Sequence, residues 1–354
     1  MNNLIKLPIV LVVFIAFGIQ SGFSGNPDRI GEAGAYELLI NPWSRSTGVN
    51  GINSANVSGI ESANNNIAGL AKVDGTEILF SHTMWMRGSG ISINAMGLAQ
   101  PVGESGVMGL SLMSLGFGDI ERTTTSSPEG GLGAFNPQFF NISLAYSRNF
   151  SNSISAGLLV RVISQRIDDI TASGAAIDGG IQYQTGPRDN VKFGIALRNV
   201  GTPMRFGGDG LSFRGPALEG DFEMTQAMRA EKFELPSLLT LGGSYDFYLD
   251  DAAEIPQHRL TVMVNFNAHS FGYDQFGGAI EYAFNEMFMI RGGYLYEEDL
   301  TDNLLKRTAF NGFSAGATLD VPLREDGARI GVDYSFRPTN PFDGTHALGV
   351  RIGL

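Results

Sequence analysis

Arg259-Leu260-Thr261-Val262-Met263-Val264-Asn265-Phe266-Asn267 is apolar at every even position and polar at every odd one except Met263. In an extended chain successive side chains point to opposite faces, so this run is a strand with one greasy and one polar face. Ile330-Gly331-Val332-Asp333-Tyr334-Ser335-Phe336-Arg337 repeats the pattern, as do Val191-Lys192-Phe193-Gly194-Ile195-Ala196-Leu197-Arg198 and Leu348-Gly349-Val350-Arg351-Ile352-Gly353-Leu354. The polar face is built largely of Gly, Ala, Ser, Asn and Thr with isolated charges. Small residues suit a crowded concave interior, and Leu, Val, Ile, Phe and Tyr suit a face turned to lipid.

Carried along the chain, this reading predicts strands at 76–87, 90–100, 105–117, 138–149, 153–164, 174–185, 190–200, 236–248, 257–268, 275–284, 287–296, 309–321, 328–337 and 345–354. The first two and the fifth alternate least cleanly. The fold class expected is all-β, a closed antiparallel transmembrane barrel of about 14 strands, each long enough to cross a thin bilayer core when tilted. The connections agree. The links 101–104, 150–152, 186–189, 249–256, 285–286 and 322–327 are short and rich in Gly, Pro, Asn and Asp, as periplasmic turns are. Two intervening links, 118–137 and 201–235, are much longer and belong outside. An even strand count returns both barrel ends to the periplasm.

Composition narrows the alternatives. The 354 residues carry 17% charged and 43% hydrophobic side chains, too little charge for an ordinary soluble domain. A net charge of −12 leaves no basic patch for a phosphate backbone, so nucleic acid is not an expected partner. With Cys 0, disulfides, thiolate metal sites and Cys nucleophiles are excluded. Residues 1–25 read as a signal peptide: Lys6, an apolar run from Leu7 to Ile19 broken by Pro8 and Gly18, then small residues from Ser21 to Gly25. No later run approaches the roughly 18 apolar residues of a membrane-spanning helix. An exported chain without a helical anchor is either periplasmic or an outer-membrane barrel, and the alternation selects the cell outer membrane, with its lipid as a partner. Residues 26–75 break the pattern. Ser44 to Asn66 is rich in Asn, Gly and Ser and cannot face lipid with its own backbone groups unpaired. It is either a periplasmic lead-in or a plug within the barrel that occupies 76–354.

Candidate site residues come from the long links. The first holds Leu132 and Phe135; the second holds Met204, Phe206, Leu211, Phe213, Leu218, Phe222, Met224 and Met228. Water-facing loops rarely carry so many large apolar groups. They either fold over the barrel mouth or take a protein or a greasy ligand. Asp178, Lys192, Arg198, Asp246, Arg259, Glu281, Arg291, Asp320, Asp333 and Arg351 fall on the inward alternation. Their mixed signs suggest pairs that tie wall to plug, or else a polar conduit. Tyr146, Tyr183, Tyr245, Tyr282, Tyr294 and Tyr334 fall outward, as an interfacial girdle would. His82, His258, His269 and His346 lack metal-ligand spacing, and no metal or cofactor is expected. Gly312-Phe313-Ser314-Ala315-Gly316 fits the nucleophile-elbow pattern, with Asp343 and His346 downstream. An elbow needs a strand-to-helix turn, whereas alternation runs on to Asp320, so enzyme activity is not expected.

Three stretches carry a family resemblance. They are Ala35-Tyr36-Glu37-Leu38-Leu39-Ile40 with Ser44-Arg45-Ser46-Thr47-Gly48 and Asn66-Ile67-Ala68-Gly69-Leu70-Ala71; Ala134-Phe135-Asn136-Pro137-Gln138-Phe139; and Phe193-Gly194-Ile195-Ala196-Leu197-Arg198-Asn199-Val200-Gly201. In these the chain resembles the PorV/PorQ family of type IX secretion-system outer-membrane proteins, themselves relatives of FadL-type long-chain fatty-acid transporters. Ile67 stands where the family usually has Pro. The resemblance implies a 14-stranded barrel with an N-terminal plug, from a member of the Bacteroidota. PorV-like proteins take secreted cargo by its C-terminal signal domain and deliver it to a surface attachment complex. The implied partners are translocon and attachment-complex proteins and secreted cargo. Two alternatives accompany it, a FadL-like transporter of hydrophobic small molecules and an attachment subunit like PorQ. A lipid-sized cavity favours transport, and a packed interior favours the shuttle.

Overall fold

The computed structural model describes residues 25–217, 222–250, 256–302, 304–323 and 327–354. The signal-peptide reading, apart from Gly25, lies outside the described residues, as does Leu218. The strands in chain order are β1 Glu77–Trp85, β2 Ile91–Val102, β3 Gly106–Gly116, β4 Ile120–Glu121, β5 Ala134–Phe135, β6 Gln138–Asn149, β7 Ile154–Ile167, β8 Ile170–Thr185 and β9 Val191–Gly201. They continue with β10 Ser212–Pro216, β11 Glu223–Ala227, β12 Leu238–Tyr248, β13 His258–His269, β14 Gln275–Phe284, β15 Phe288–Glu297, β16 Phe313–Pro322, β17 Arg329–Arg337 and β18 Thr345–Gly353.

Fourteen of these close into one barrel in the order β1-β18-β17-β16-β15-β14-β13-β12-β9-β8-β7-β6-β3-β2. Closure follows from the solvent. Hydrocarbon offers no partner to an unpaired N–H or C=O, so a sheet in lipid can leave no edge. The antiparallel seam that closes it pairs Glu77 with Gly353 and Met84 with His346. The remaining four strands form two small hairpins in the long outer links, β4–β5 and β10–β11. On β13, Thr261, Met263 and Asn265 are buried inward while Val262 and Val264 face out. Tyr146, Tyr183, Tyr245 and Tyr282 face out near the short-turn end, where Tyr183 stacks on Phe193.

All fourteen predicted barrel strands are present, and two starts differ by several residues. β8 begins at Ile170 because Ile167 pairs with Ile170 across a tight turn in which Asp168 takes a left-handed φ of 52°. The same turn carries β7 on to Ile167, past the polar run Ser164-Gln165-Arg166 that hides its end from the alternation. β16 begins at Phe313 because Gly312, at φ 89°, breaks the strand. The weak alternation of β2 has a cause as well. Its inward row Ile93, Ala95 and Ala99 is buried and apolar, while Ser92, Asn94 and Gln100 fall on the outward row among Met96 and Leu98, so polarity does not sort by face.

The inner face of the barrel is filled by residues 33–72. This segment holds a single α-helical turn, Ser44–Thr47, and three 3-10 turns at Tyr36–Leu39, Ile60–Asn64 and Ile67–Lys72. Asn66 caps the last by accepting from Ala68 N at 3.2 Å, and Ile67 occupies the first helical position, where Pro is tolerated and a buried apolar side chain serves here. The chain enters at the long-loop mouth, where Asn26 N donates to His269 O at 3.2 Å and Gly34 N to Glu234 O at 3.0 Å. It leaves at the short-turn end, where Thr76 N donates to Leu354 O at 3.0 Å. It therefore runs the full height of the barrel, from the long-loop mouth to the opposite rim.

So little regular structure leaves many carbonyls without a local partner, and the wall supplies donors. Arg161 Nη2 donates to Ala63 O at 3.0 Å, Gln182 Nε2 to Ser54 O at 3.0 Å and Val57 O at 3.1 Å, Asn265 Nδ2 to Gly51 O at 3.1 Å, and Ser147 Oγ to Ala68 O at 3.1 Å. Charges add a second tie, a chain of alternating sign along the wall. Lys192 meets Asp246 at 2.6 Å, Asp246 meets Arg259 at 3.7 Å, and Arg259 meets Glu281 at 3.3 Å. Glu281 meets Arg291 at 2.8 Å, Arg291 meets Asp333 at 3.8 Å, and Asp333 meets Arg351 at 3.5 Å. Arg351 then reaches Glu61 of the inner segment at 3.1 Å.

Two outcomes follow from this arrangement. Arg351→Ala takes the ion-pair partner from the buried Glu61 carboxylate and leaves Asp333 with Arg291 alone, and unfolding in lipid vesicles is expected to show a loss of about 3–5 kcal/mol. Arg29→Ala, which breaks an exposed pair with Glu32, is expected to cost no more than about 1 kcal/mol. Equal unfolding midpoints for the two variants would refute the role of the ionic chain. On the outer face, Ile280→Lys places a cation in lipid and is expected to cost about 2–4 kcal/mol in the same titration, whereas Ile280→Leu leaves the midpoint near that of the parent.

Candidate functional site

Two apolar clusters lie toward the long-loop end of the barrel. In the first, Ala35 and Leu38 of the inner segment pack with Ile163 of β7, Ala172 and Ala176 of β8, and Met204 and Leu235 of the long link. Phe206 and Phe233 cover them with ring centroids 5.8 Å apart. The link is stitched down by paired backbone bonds between Met204 and Phe233, each 2.9 Å. Buried polar groups flank the cluster. Gln165 Nε2 donates to both Glu37 carboxylate oxygens at 2.8 and 2.9 Å, and Arg161 meets Asp178 at 3.1 Å. The β8–β9 register shifts between Ile177 and Gly179, and Asp178 at that bulge accepts Asn199 N at 2.6 Å. Burial raises the Glu37 carboxyl above the ordinary range, against the opposing pull of Gln165.

The second cluster joins Ile93, Met113 and Leu115 of β2 and β3 to Ile40, Trp85, Ile91, Phe117 and Phe139. Trp85 meets Phe310 edge-on at 5.3 Å, and Phe117 meets Phe139 at 4.9 Å. Together the clusters give the mouth an apolar lining able to hold a hydrophobic body by contact alone.

Lower in the barrel the voids are polar. One of ≈ 40 Å³ lies among Arg45, Asn53, Asn56, Glu61, Glu281 and Arg291. Another of ≈ 190 Å³, at the short-turn end, is lined by Lys72, Asn149, Asn152, Gln182 and Gln184. Burial, and then the neighbouring charge of Lys192, lower Lys72 to about 8. Burial raises Glu61, against the charges of Arg351 and Arg45. Neither void would admit a lipid-sized molecule as the structure stands.

The loop candidates divide. Met204 is buried and Phe206 half-buried in the first cluster, whereas Leu211 is half-buried beside the β10–β11 hairpin. Phe135 is half-buried in β5, with Arg122 stacked 5.6 Å from its ring. Leu132, Phe213, Phe222, Met224 and Met228 are exposed. The long loops thus fold partly over the mouth and partly away from it. Leu38, Trp85, Ile93, Met113, Leu115 and Ile163 belong to the site and were not among the sequence candidates. For Ile93, Met113 and Leu115 a signal was present in the apolar inward rows of β2 and β3, whereas Leu38, Trp85 and Ile163 carried none.

The remaining candidates take structural places. Every inward charge named from the sequence lies on the inner wall. Ser314 faces inward, and its Oγ lies 3.5 Å from Gly293 O, while His346 faces outward and meets the Tyr334 hydroxyl at 2.8 Å. The wall separates them, so they form no nucleophile–base pair. His82 meets Asn94 at 2.8 Å and His258 meets Tyr282 at 2.7 Å, also on the outer face. Among the described residues no group of carboxylates and histidines is disposed to hold a metal.

Comparison with known proteins agrees with this architecture. The family described as putative MetA-pathway of phenol degradation matches residues 134–215, from β5 into β10. No curated protein matches the sequence. Among solved structures the chain is similar to the toluene transporter TodX of Pseudomonas putida, with 12% identity, a TM-score of 0.55, and coverage of 88% of this chain and 96% of that one. It is similar to the CymD monoaromatic hydrocarbon channel, at 12% identity, TM-score 0.52, and coverage of 89% and 97%. It is also similar to a FadL homologue of Pseudomonas aeruginosa, at 11% identity, TM-score 0.52, and coverage of 89% and 98%. The protein is an outer-membrane β-barrel with the FadL-like fold.

Proposed function

We infer that this barrel admits hydrophobic small molecules across the outer membrane. The observation that carries this reading is the pair of apolar clusters at the long-loop mouth of the barrel. The fold it shares with TodX and CymD supports the same reading. A molecule would first replace side-chain contacts among Met204, Phe206, Ile93 and Met113. Burial of its apolar surface drives this step, at about 25 cal/mol per Å² removed from water. It would then pass the inner segment. The chemistry is non-covalent throughout.

A second reading is favoured by one specific observation. The interior is packed, and the β10–β11 hairpin exposes Phe213 and Met224, with Phe222 and Met228 beside it. That is how a shuttle would look if it gripped a cargo protein outside, in the manner of PorV-like proteins of type IX secretion. For that reading the partners would be secreted cargo and components of the translocon and attachment complex.

Uptake of radiolabelled toluene by intact cells distinguishes the two. Cells making the protein are expected to take it up faster than cells lacking it, and Met113→Asp, which charges the mouth, is expected to remove the gain. Equal uptake with and without the protein would overturn the transport reading. Membrane co-purification of a secreted protein, lost on Phe213→Ser with Phe222→Ser, would establish the shuttle in its place.

A further inference from the structure

The inner segment touches the wall by two kinds of interface. Toward β12–β18 it is tied by charge and hydrogen bonds: Glu61 to Arg351 at 3.1 Å, Arg45 to Glu281 at 3.8 Å, Ser54 Oγ to Asn265 Oδ1 at 2.9 Å, and Asn50 Nδ2 to Gly312 O at 2.7 Å. Toward β2 and β3 it is tied by neither. Among the described residues no hydrogen bond or ion pair joins it to the inward faces of those two strands. Those faces are apolar or glycine except for Ser111 of β3. The mouth cluster around Ile93 and Met113 passes directly into a second one, in which Trp43, Ile60 and Leu70 pack on Ala95, Ala99 and Val107. Gly97 and Gly109 keep the contact close. A Cβ on Gly97 would lie 2.6 Å from Ile60 Cγ1, and one on Gly109 would lie 2.8 Å from Ile60 Cδ1.

The two interfaces differ in what it costs to part them. Opening the charged side leaves carboxylates and guanidinium groups buried without partners, at several kcal/mol each. Opening the apolar side parts no ion pair, and the nearest polar tie is the one from Ile60 N to the Glu77 carboxylate of β1 at 2.7 Å. A hydrocarbon entering there replaces side-chain contacts with contacts of the same kind, so the exposed area is covered as it forms. We propose that hydrophobic molecules cross the barrel along the seam between the inner segment and strands β2 and β3, with the hydrogen-bonded and ionic flank on β12–β18 as the hinge. This rests on the transport reading above and adds the route.

The absence of native cysteine makes the test direct. Ile60→Cys with Gly97→Cys pins the seam shut as a disulfide. Ser54→Cys with Asn265→Cys pins the opposite flank. Disulfide formation is followed by migration on non-reducing gels, and toluene uptake by intact cells is the readout. The oxidised seam-pinned protein is expected to lose the gain in uptake, and reduction with dithiothreitol is expected to restore it. The flank-pinned protein is expected to keep wild-type uptake in both states. Undiminished uptake through the pinned seam, or a block caused by the flank disulfide, would overturn the route. Absence of any gain from the wild-type protein would overturn the transport reading itself and the route with it. Should a cysteine pair fail to assemble, two single changes decide. Ile93→Ala enlarges the seam and is expected to raise uptake above wild type, whereas Leu295→Ala on the opposite wall is expected to leave it unchanged; equal rates for the two would overturn the route.

Discussion

The backbone of this protein has no access to water along most of its length, and the rest of the structure is built around that fact. Each N–H and C=O in the membrane must find a partner in the protein. A sheet meets the demand only by closing, and closure sets Glu77 of β1 against Gly353 of β18. The space so enclosed must then be filled. Residues 33–72 fill it with turns too short to satisfy their own carbonyls, so Arg161, Gln182, Asn265 and Ser147 turn donors inward.

That filling is asymmetric, and the asymmetry links packing to dynamics. Directional, charge-bearing ties lie on one side and contact-only packing on the other. The alternating chain from Lys192 to Glu61 is stable because each charge has a partner of opposite sign within reach. For the same reason it resists separation. The contact of Ile60 and Leu70 with β2 and β3 has no such requirement. A single inner segment can therefore be firmly held and still yield along one side.

The mouth joins this asymmetry to function. Met204 and Phe206 turn inward over an apolar lining, while Phe213 and Phe222 remain outside on or beside a hairpin. On the proposed function the inward set captures small hydrophobic molecules, and on the second reading the outward set docks a protein. The shared fold of TodX and CymD supports the first, and the packed interior is what keeps the second under test.

Alternation along runs such as 259–267 determined that the chain makes strands, how many close the barrel, and which side meets lipid. Period 2 is a local property and survives in any register. It also placed Asp246, Glu281, Arg291 and Asp333 inward. Only the tertiary structure decided how those charges connect, because their partners sit on neighbouring strands or on a segment without periodicity. It also decided the path of residues 33–72, whose Asn, Gly and Ser carry no pattern until the wall supplies their bonds. The greasy inner row of β2 was visible as a blurred alternation. It acquired meaning only when Trp43, Ile60 and Leu70 were found packed against it, since an apolar residue cannot tell from sequence whether oil or protein will cover it.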